Sequence, residues 1–177
     1  MANTVILKWD PAVSSYSMSR FLNDIIRGGN VSEWGIRDHE QVKFGDTFYM
    51  VKVGNGQTGI VMEGTITSDP EEGGDRSGWG RKICFCDCRA EIMINPDTFG
   101  LLSTAKLQDN IPVFEWDGGD SGVILTPKFA AMLEKMWNSY LQENAKEFSS
   151  RLEFLKSRKF QNDQLFLSPQ LSGKLFS

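Results

Sequence analysis

Three cysteines, Cys84, Cys86 and Cys88, and the single histidine, His39, are the residues whose types could bind a metal ion. Alternate residues of one strand lie about 6.6 Å apart and point to the same side. A tetrahedral zinc site, by contrast, gathers its sulfurs around one ion with Zn–S bonds of about 2.3 Å. We therefore expect no metal site, no cofactor, and three reduced thiols on one face of a strand.

The segment Gly54-Asn55-Gly56-Gln57-Thr58-Gly59 has the glycine spacing of a dinucleotide-binding loop. That loop works only where it opens a helix, because the helix amides hold the pyrophosphate. Here residues 60–66 alternate in polarity as a strand does. The glycines are therefore predicted to form a hairpin turn, not a nucleotide site.

The segment Gly119-Asp120-Ser121-Gly122 resembles the nucleophile loop of chymotrypsin-like proteases, and His39 lies upstream as the base of such a triad would. His39, however, stands in a polar stretch that lacks the histidine motif of that family. A long helix is expected soon after Ser121, where the protease barrel would continue as strands. A serine hydrolase using Ser121 is therefore only the third function that the sequence suggests.

The spacing of apolar residues predicts an α+β fold built around a mixed barrel. One helix is expected between a Ser17 cap and Gly28-Gly29, and a second begins at Thr126-Pro127, where threonine caps and proline suits the first turn. Residues Leu101–Leu107 are predicted to form one or two helical turns. The predicted strands are Thr4–Trp9, Thr47–Val53, Gly59–Thr67, Lys82–Ile94 and Ser121–Leu125.

Composition indicates a globular domain, with 177 residues, 40% hydrophobic and 24% charged. The net charge of −4 argues against a protein whose affinity comes mainly from neutralising phosphates. The first residues lack a basic start and a long apolar run, and no stretch reaches the roughly 18 apolar residues of a membrane helix. A cytoplasmic protein without a membrane partner is expected.

The charge of the chain changes near residue 145. Residues 146–177 hold six basic and three acidic side chains (+3), whereas residues 1–145 hold thirteen basic and twenty acidic ones (−7). We expect residues 1–145 to form the domain and residues 146–177 to form a basic, helical extension, docked on it or partly flexible.

A series of residues from Trp34 onward resembles a known family. In chain order they are Trp34, Gly45-Asp46, Thr58-Gly59-Ile60, Gly64, Thr67-Ser68, Trp79, Asp87, Asn95-Pro96, Leu101-Leu102, Phe114-Glu115-Trp116, Ser121-Gly122, Pro127, Leu133 and Trp137. Together they resemble the EVE-type domain of the PUA-like superfamily, which is found N-terminal to HNH restriction endonucleases. The resemblance implies a PUA-like β pseudo-barrel with flanking helices and a pocket for a base, often a modified cytosine in DNA.

On this resemblance, the base-binding pocket would be formed by Trp34, Trp79, Trp116 and Ser121, with Asp87 beside them as a hydrogen-bonding partner of the base. Aromatic faces replace the stacking that a flipped base loses. Phosphate contacts would come from Arg37, Lys43, Arg81, Lys82 and Arg158. The chain departs from the family at Val123-Ile124, where an arginine is usual, and around His39, where basic residues are usual.

The function expected from these observations is non-catalytic recognition of a modified or flipped nucleobase, in DNA in preference to RNA. A protein partner would supply nuclease activity. The alternative is a module that binds a free nucleotide-like small molecule or a protein partner.

Overall fold

The computed structural model describes residues 2–73 and 83–158, with side chains up to residue 148. Within these ranges the chain forms an α+β fold with eight strands and three helices. In order they are β1 (Thr4–Trp9), α1 (Met18–Arg27), β2 (Asn30–Ile36), β3 (Thr47–Lys52), β4 (Gly59–Ile66), β5 (Glu71–Gly73), β6 (Ile83–Met93), β7 (Leu102–Ser103), α2 (Thr104–Asn110), β8 (Val123–Leu125) and α3 (Pro127–Arg158). No helix in these ranges is long and apolar enough to cross a membrane.

The strands form one mixed sheet that curls into a half-barrel. Its order is β2-β6-β4-β3-β1-β8, with β5 on β6 and β7 on β4. The pair β1–β3 is parallel, and the neighbouring pairs are antiparallel. The glycine-rich segment before β4 is the turn between the antiparallel strands β3 and β4, which confirms the hairpin prediction.

The two ends of the strand order meet at the loop that precedes β8. The amides of Arg37 and Asp38, just after β2, donate to the carbonyls of Ser121 (3.0 Å) and Gly122 (2.9 Å). The Asp38 carboxylate in turn accepts from the amide of Ile124 at 2.8 Å. Gly122 permits this approach, because a Cβ there would lie 2.4 Å from the Ile36 Cα. We call these contacts between residues 36–38 and 121–124 the seam.

Alternate residues of the central strands fill two separate hydrophobic cores. On β1, Val5 and Leu7 belong to the first core and Ile6 belongs to the second. Since successive strand residues point to opposite faces, the two cores lie on opposite sides of the sheet. Helix α1 packs Phe21 and Ile25 into the first core.

Helix α3 covers the second core. It begins at Pro127 as expected, and Leu133 and Trp137 are buried, with Phe129 and Met136 packed partly against the same core. The helix continues without a break to Arg158, and Phe148 is fully buried in this core. Phe148 lies in the segment expected to form a helical extension from residue 146, and its burial means that this part of the extension is docked on the domain.

The cysteine row lies where the sequence predicted it. Cys86 and Cys88 are buried in the first core, Cys84 is half-buried, and all three are free thiols. Burial raises the pKa of Cys86 to about 12, and the negative charge of Asp87 adds to the effect. These thiols fill the core as small apolar groups.

Candidate functional site

A β-bulge in β2 shapes the surface beside Trp34. Val31 pairs with Cys88 and Trp34 pairs with Cys86, so Ser32 and Glu33 together face the single residue Asp87. Glu33 has a φ of 57°, a left-handed conformation that non-glycine residues seldom adopt. Its amide donates to the side-chain carboxylate of Asp87 on the neighbouring strand β6 at 3.1 Å. Bulges and strained residues of this kind concentrate at binding sites.

One cleft opens beside this bulge and is rich in carboxylates. Its volume is about 440 Å³. The lining residues are Ser32, Glu33, Ser68, Glu71, Glu72, Gly73, Phe85 and Asp87. Four of these described residues carry carboxylates and none carries a positive charge. We call this the acidic cleft.

A second cleft, which we call the aromatic cleft, lies against Trp34. Its volume is about 180 Å³, and its lining is Ser14, Ser15, Tyr16, Arg20, Val31, Ser32, Glu33, Trp34, Gly35 and Phe85. Tyr16 meets Trp34 edge-on, with ring centroids 5.8 Å apart and an angle of 85°. The Arg20 guanidinium lies 5.7 Å from the Tyr16 ring. Aromatic surface and polar groups therefore converge in one concave site.

The two clefts adjoin each other, because Ser32, Glu33 and Phe85 line both. The Phe85 ring packs so closely on Gly73 that a Cβ there would lie 2.3 Å from the ring. Gly73 thus leaves room for an aromatic ring at the junction of the clefts.

Tyr16 is held in place by its hydroxyl, which donates to the Asp24 carboxylate at 2.6 Å. Burial and this hydrogen bond raise the pKa of Tyr16 well above its ordinary value. The phenol therefore stays protonated at neutral pH, and its proton is committed to Asp24.

Trp34 and Ser121, two residues of the expected pocket, are hydrogen-bonded neighbours. Trp34 is 8% exposed and forms the floor of the aromatic cleft. Its indole donates to the Ser121 hydroxyl at 3.0 Å, and the backbone amide of Lys8 donates to the same oxygen at 2.9 Å. Ser121 itself lines neither cleft among the described residues.

Trp116 does not belong to this site, which corrects the expectation that it lines the pocket with Trp34. Its side chain is fully buried in the second core, whereas Trp34 lies in the first. Its indole donates to the Ile111 carbonyl at 2.9 Å, and Phe114 packs against it. A ring enclosed in this way has no face left for a ligand.

Of the expected phosphate contacts, the structure describes the side chains of Arg37 and Lys43, and neither lines a cleft. The Arg37 guanidinium is paired with Asp120 at 3.2 Å and with Asp38 at 3.6 Å, at the seam. Lys43 is exposed in the loop before β3 and lines neither cleft. Arg158 ends α3, and its side chain lies outside the description. Trp79, Arg81 and Lys82 lie outside the described residues.

Tyr16, Glu33 and Phe85 were not identified from the sequence. Phe85 carried a usable signal, because the buried cysteines occupy one face of β6 and place Phe85 on the other face with Asp87. A large aromatic on the polar face of a strand marks a candidate binding surface only where other apolar groups adjoin it, as Trp34 and Tyr16 do here. Tyr16 and Glu33 had no such signal in the sequence, because the loop before α1 brings Tyr16 to the site and the bulge in β2 brings Glu33 there.

Within the described residues, no group of three or more histidine, cysteine, aspartate or glutamate side chains could hold a metal ion. Of the three rings that line the clefts, Phe85 is half-buried, whereas Trp34 is 8% and Tyr16 is 3% exposed, so a flat ring bound here would rest mainly on Phe85. Hydrogen bonds to such a ring could come from the serines, the carboxylates and Arg20 at the rim.

No family model and no curated protein matches this chain. Among solved structures, a hypothetical protein from Leishmania major is similar, with a TM-score of 0.53 and 10% sequence identity over 79% of this chain and 98% of that chain. A Pseudomonas putida protein solved by a structural genomics consortium matches with a TM-score of 0.49 and 14% identity, over 75% of this chain and 98% of its own. The Leishmania protein thus shares the α+β fold with the curled sheet.

Proposed function

We propose that this protein is a non-catalytic module that binds a nucleobase, flipped out of nucleic acid, in the aromatic cleft. One observation carries the proposal. Trp34, Tyr16 and Phe85 converge on one cleft, which adjoins a second cleft rich in hydrogen-bond acceptors. A flipped base needs both a surface that replaces its stacking partners and polar groups that read its edge.

The aromatic contacts provide the stacking surface. Stacking of a base on an aromatic side chain is worth roughly 1–3 kcal/mol. Phe85 is half-buried, lines both clefts and packs against Gly73, so the exposed part of its ring would meet a ligand where the clefts adjoin. Glu33 and Asp87 line the continuation of the site and could accept hydrogen bonds from the amino group of a base.

Electrostatics favours the base over the phosphate inside the site. Glu33, Glu71, Glu72 and Asp87 surround the acidic cleft, and a phosphate placed there would be repelled. The sugar–phosphate backbone of a bound nucleic acid would therefore run outside the clefts. Binding should weaken only slightly with added salt, because few counterions are released.

A second candidate, a free nucleoside-like molecule, is favoured by the same carboxylates. A ligand without phosphate would enter the clefts without repulsion and would need no basic track along the surface. Arg37, a basic residue of the seam, is already paired with two carboxylates.

The family assignment is part of this proposal. The curled mixed sheet supports a PUA-like, EVE-type domain that reads DNA in preference to RNA. A separate protein would then supply any nuclease activity. The state of Ser121 supports a binding role, because its hydroxyl accepts two N–H groups and has no hydrogen bond to His39 among the described contacts. A nucleophilic serine requires such a base.

The test is a titration followed by NMR, with nucleosides and short oligonucleotides carrying unmodified and modified bases as probes. Backbone amide signals of Arg20, Gly35 and Phe85 should shift, whereas those of Asn55 and Gly56 in the β3–β4 turn should not. An oligonucleotide that binds while its nucleoside does not would favour nucleic acid. The reverse result would favour the free ligand, and binding of neither would contradict the proposal.

A pair of phenylalanine variants provides the matched control. Phe85→Ala should weaken binding by roughly 1–3 kcal/mol, the worth of one stacked base. Phe44→Ala should leave it unchanged, since Phe44 is 66% exposed and lines neither cleft. Equal effects of the two variants would show that the aromatic cleft is not the binding site.

A further inference from the structure

We propose that Ser121, held by Lys8, is a positioning residue that fixes the orientation of Trp34 for ligand stacking. This inference rests on the proposed function, because it assumes that a ligand binds in the aromatic cleft against Trp34. The side chain of Trp34 has a single polar atom, the indole nitrogen, which donates to the Ser121 hydroxyl at 3.0 Å. The bond links the cleft floor to the loop that closes the half-barrel.

The Ser121 hydroxyl is itself fixed from the other side. The backbone amide of Lys8, on β1, donates to it at 2.9 Å. The Ser121 carbonyl accepts from the amide of Arg37 at 3.0 Å, so the backbone of the residue is anchored too. Ser121 therefore connects β1, the Trp34 side chain of β2 and the backbone just after β2 at one point of the seam.

The Lys8 side chain ties down the loop that leads to Ser121. Its ammonium group donates to the Glu115 carbonyl at 2.6 Å and to the Gly118 carbonyl, and it lies 5.1 Å from the Phe114 ring centre. Burial lowers the pKa of Lys8, an effect that the nearby negative charge of Glu115 opposes. The seam loop is thus held by a half-buried cation as well as by backbone hydrogen bonds.

Without the hydroxyl, the nearly buried indole N–H would lose its acceptor. A buried donor without a partner is costly, so the ring would turn toward another acceptor or toward water. Either change would alter the edge-on contact between Trp34 and Tyr16, in which the rings stand at 85°. Ser121 does not touch the ligand in this scheme, and it acts through Trp34.

The experiment compares Ser121→Ala, Ser121→Thr and the control Ser103→Ala in the full chain. Ser103 caps α2 by accepting the amide of Lys106 at 3.1 Å, so its loss also destabilises the protein but leaves the seam intact. The first readout is hydrogen exchange of the Trp34 indole N–H, identified by its disappearance in Trp34→Phe. This signal requires no ligand.

Exchange should be about tenfold faster in Ser121→Ala, return toward the original rate in Ser121→Thr, and stay unchanged in Ser103→Ala. Unchanged exchange in Ser121→Ala, or equal acceleration in Ser103→Ala, would overturn the inference. If Ser121→Ala does not fold, Lys8→Met serves instead, since it frees the loop but keeps the backbone amide. It should accelerate exchange about threefold, and no change would again overturn the inference.

The second readout is affinity for whichever nucleoside or oligonucleotide binds the original protein. Ser121→Ala should weaken it about three- to tenfold, with recovery in Ser121→Thr. Full affinity in Ser121→Ala despite faster indole exchange would contradict the positioning role. If no probe binds the original protein, the proposed function fails, and the indole signal still decides whether Ser121 holds Trp34.

Discussion

Closure of the half-barrel depends on one glycine, and replacing it provides a quantitative test of the structure. Gly122 has a φ of 79°, and a Cβ at this position would lie 2.4 Å from the Ile36 Cα and 2.9 Å from the Arg37 amide nitrogen. These neighbours are backbone atoms of the opposite edge of the sheet. They cannot turn away as a side chain can, so Gly122→Ala must push the two edges apart.

The expected loss of stability is the sum of three contributions. A left-handed conformation costs an L-residue about 1–2 kcal/mol, and the reduced freedom of the unfolded chain returns about 0.4–1 kcal/mol. Separation of the edges also weakens the hydrogen bonds from Arg37 and Asp38 to residues 121 and 122, each worth about 1 kcal/mol. Gly122→Ala should therefore lower the free energy of unfolding by about 3 kcal/mol.

Gly119 offers a matched control in the same loop. Its φ of 78° nearly equals that of Gly122, but the nearest atom to an added Cβ is the Glu115 carboxylate at 3.1 Å. Glu115 is exposed and can move aside. Gly119→Ala should therefore show only the conformational cost, about 1 kcal/mol after the unfolded-state gain.

The assay is urea unfolding of both variants, followed by circular dichroism and by tryptophan fluorescence. With equal slopes, the shift in midpoint gives the change in stability. Equal destabilisation by the two substitutions would refute the close approach at the seam. A loss near 1 kcal/mol in Gly122→Ala would lead to the same conclusion.

Three other predictions concern the cores. The free energy of unfolding should fall as pH rises from about 9 toward 12, by on the order of 1 kcal/mol per pH unit, because the Cys86 thiol ionises near 9.0 when unfolded and near 12 when folded. The double variant Cys86→Ala, Cys88→Ala should flatten this decline between about pH 9 and 10, and an unchanged slope would count against buried thiols. Iodoacetamide should modify the native protein at Cys84 first, since Cys84 is only half-buried, as peptide mapping can check. Trp116→Ala should lower the free energy of unfolding, measured in urea, by about 3–5 kcal/mol. Trp116→Phe should bind the nucleoside and oligonucleotide probes with unchanged affinity. Weaker binding by a well-folded Trp116→Phe variant would show that Trp116 belongs to the binding site.

Local patterns determined much of the fold. The sequence pattern predicted strands at residues 4–9 and 82–94, and the cysteines fell on the buried face because a strand has a period of two. Ser17 and Gly28 marked the ends of α1 through capping, and Pro127 marked the start of α3. These features depend on residues a few positions apart, so one sequence suffices to find them.

The strand β2 escaped prediction because its pattern is interrupted. The bulge at Ser32-Glu33 shifts the alternation, so Val31 and Trp34 both face the core although they are three residues apart. A strict period of two would have placed them on opposite faces. The extra residue is accommodated by the partner strand, through the Asp87 carboxylate.

Two tryptophans of the expected pocket, Trp34 and Trp116, show what local sequence patterns cannot predict. Trp34 and Trp116 both lie in polar or glycine-containing stretches, which suggested exposure for each. The fold buries Trp116 completely, because the segment from α2 to Phe114 encloses it and the Ile111 carbonyl accepts its N–H. Trp34 lies under a cleft formed by residues from α1, the loop before it and β6.

The sequence by itself determined the types of residue available, namely one histidine, a thiol row, a serine loop and several tryptophans. Only the tertiary structure decided which of them meet. Trp34 and Ser121 are 87 positions apart, and Lys8 and Ser121 are 113 apart. They come together because the mixed sheet curls until its two edges touch at Gly122. Such closure is a property of the whole sheet, whose twist accumulates from strand to strand, and no local pattern encodes it.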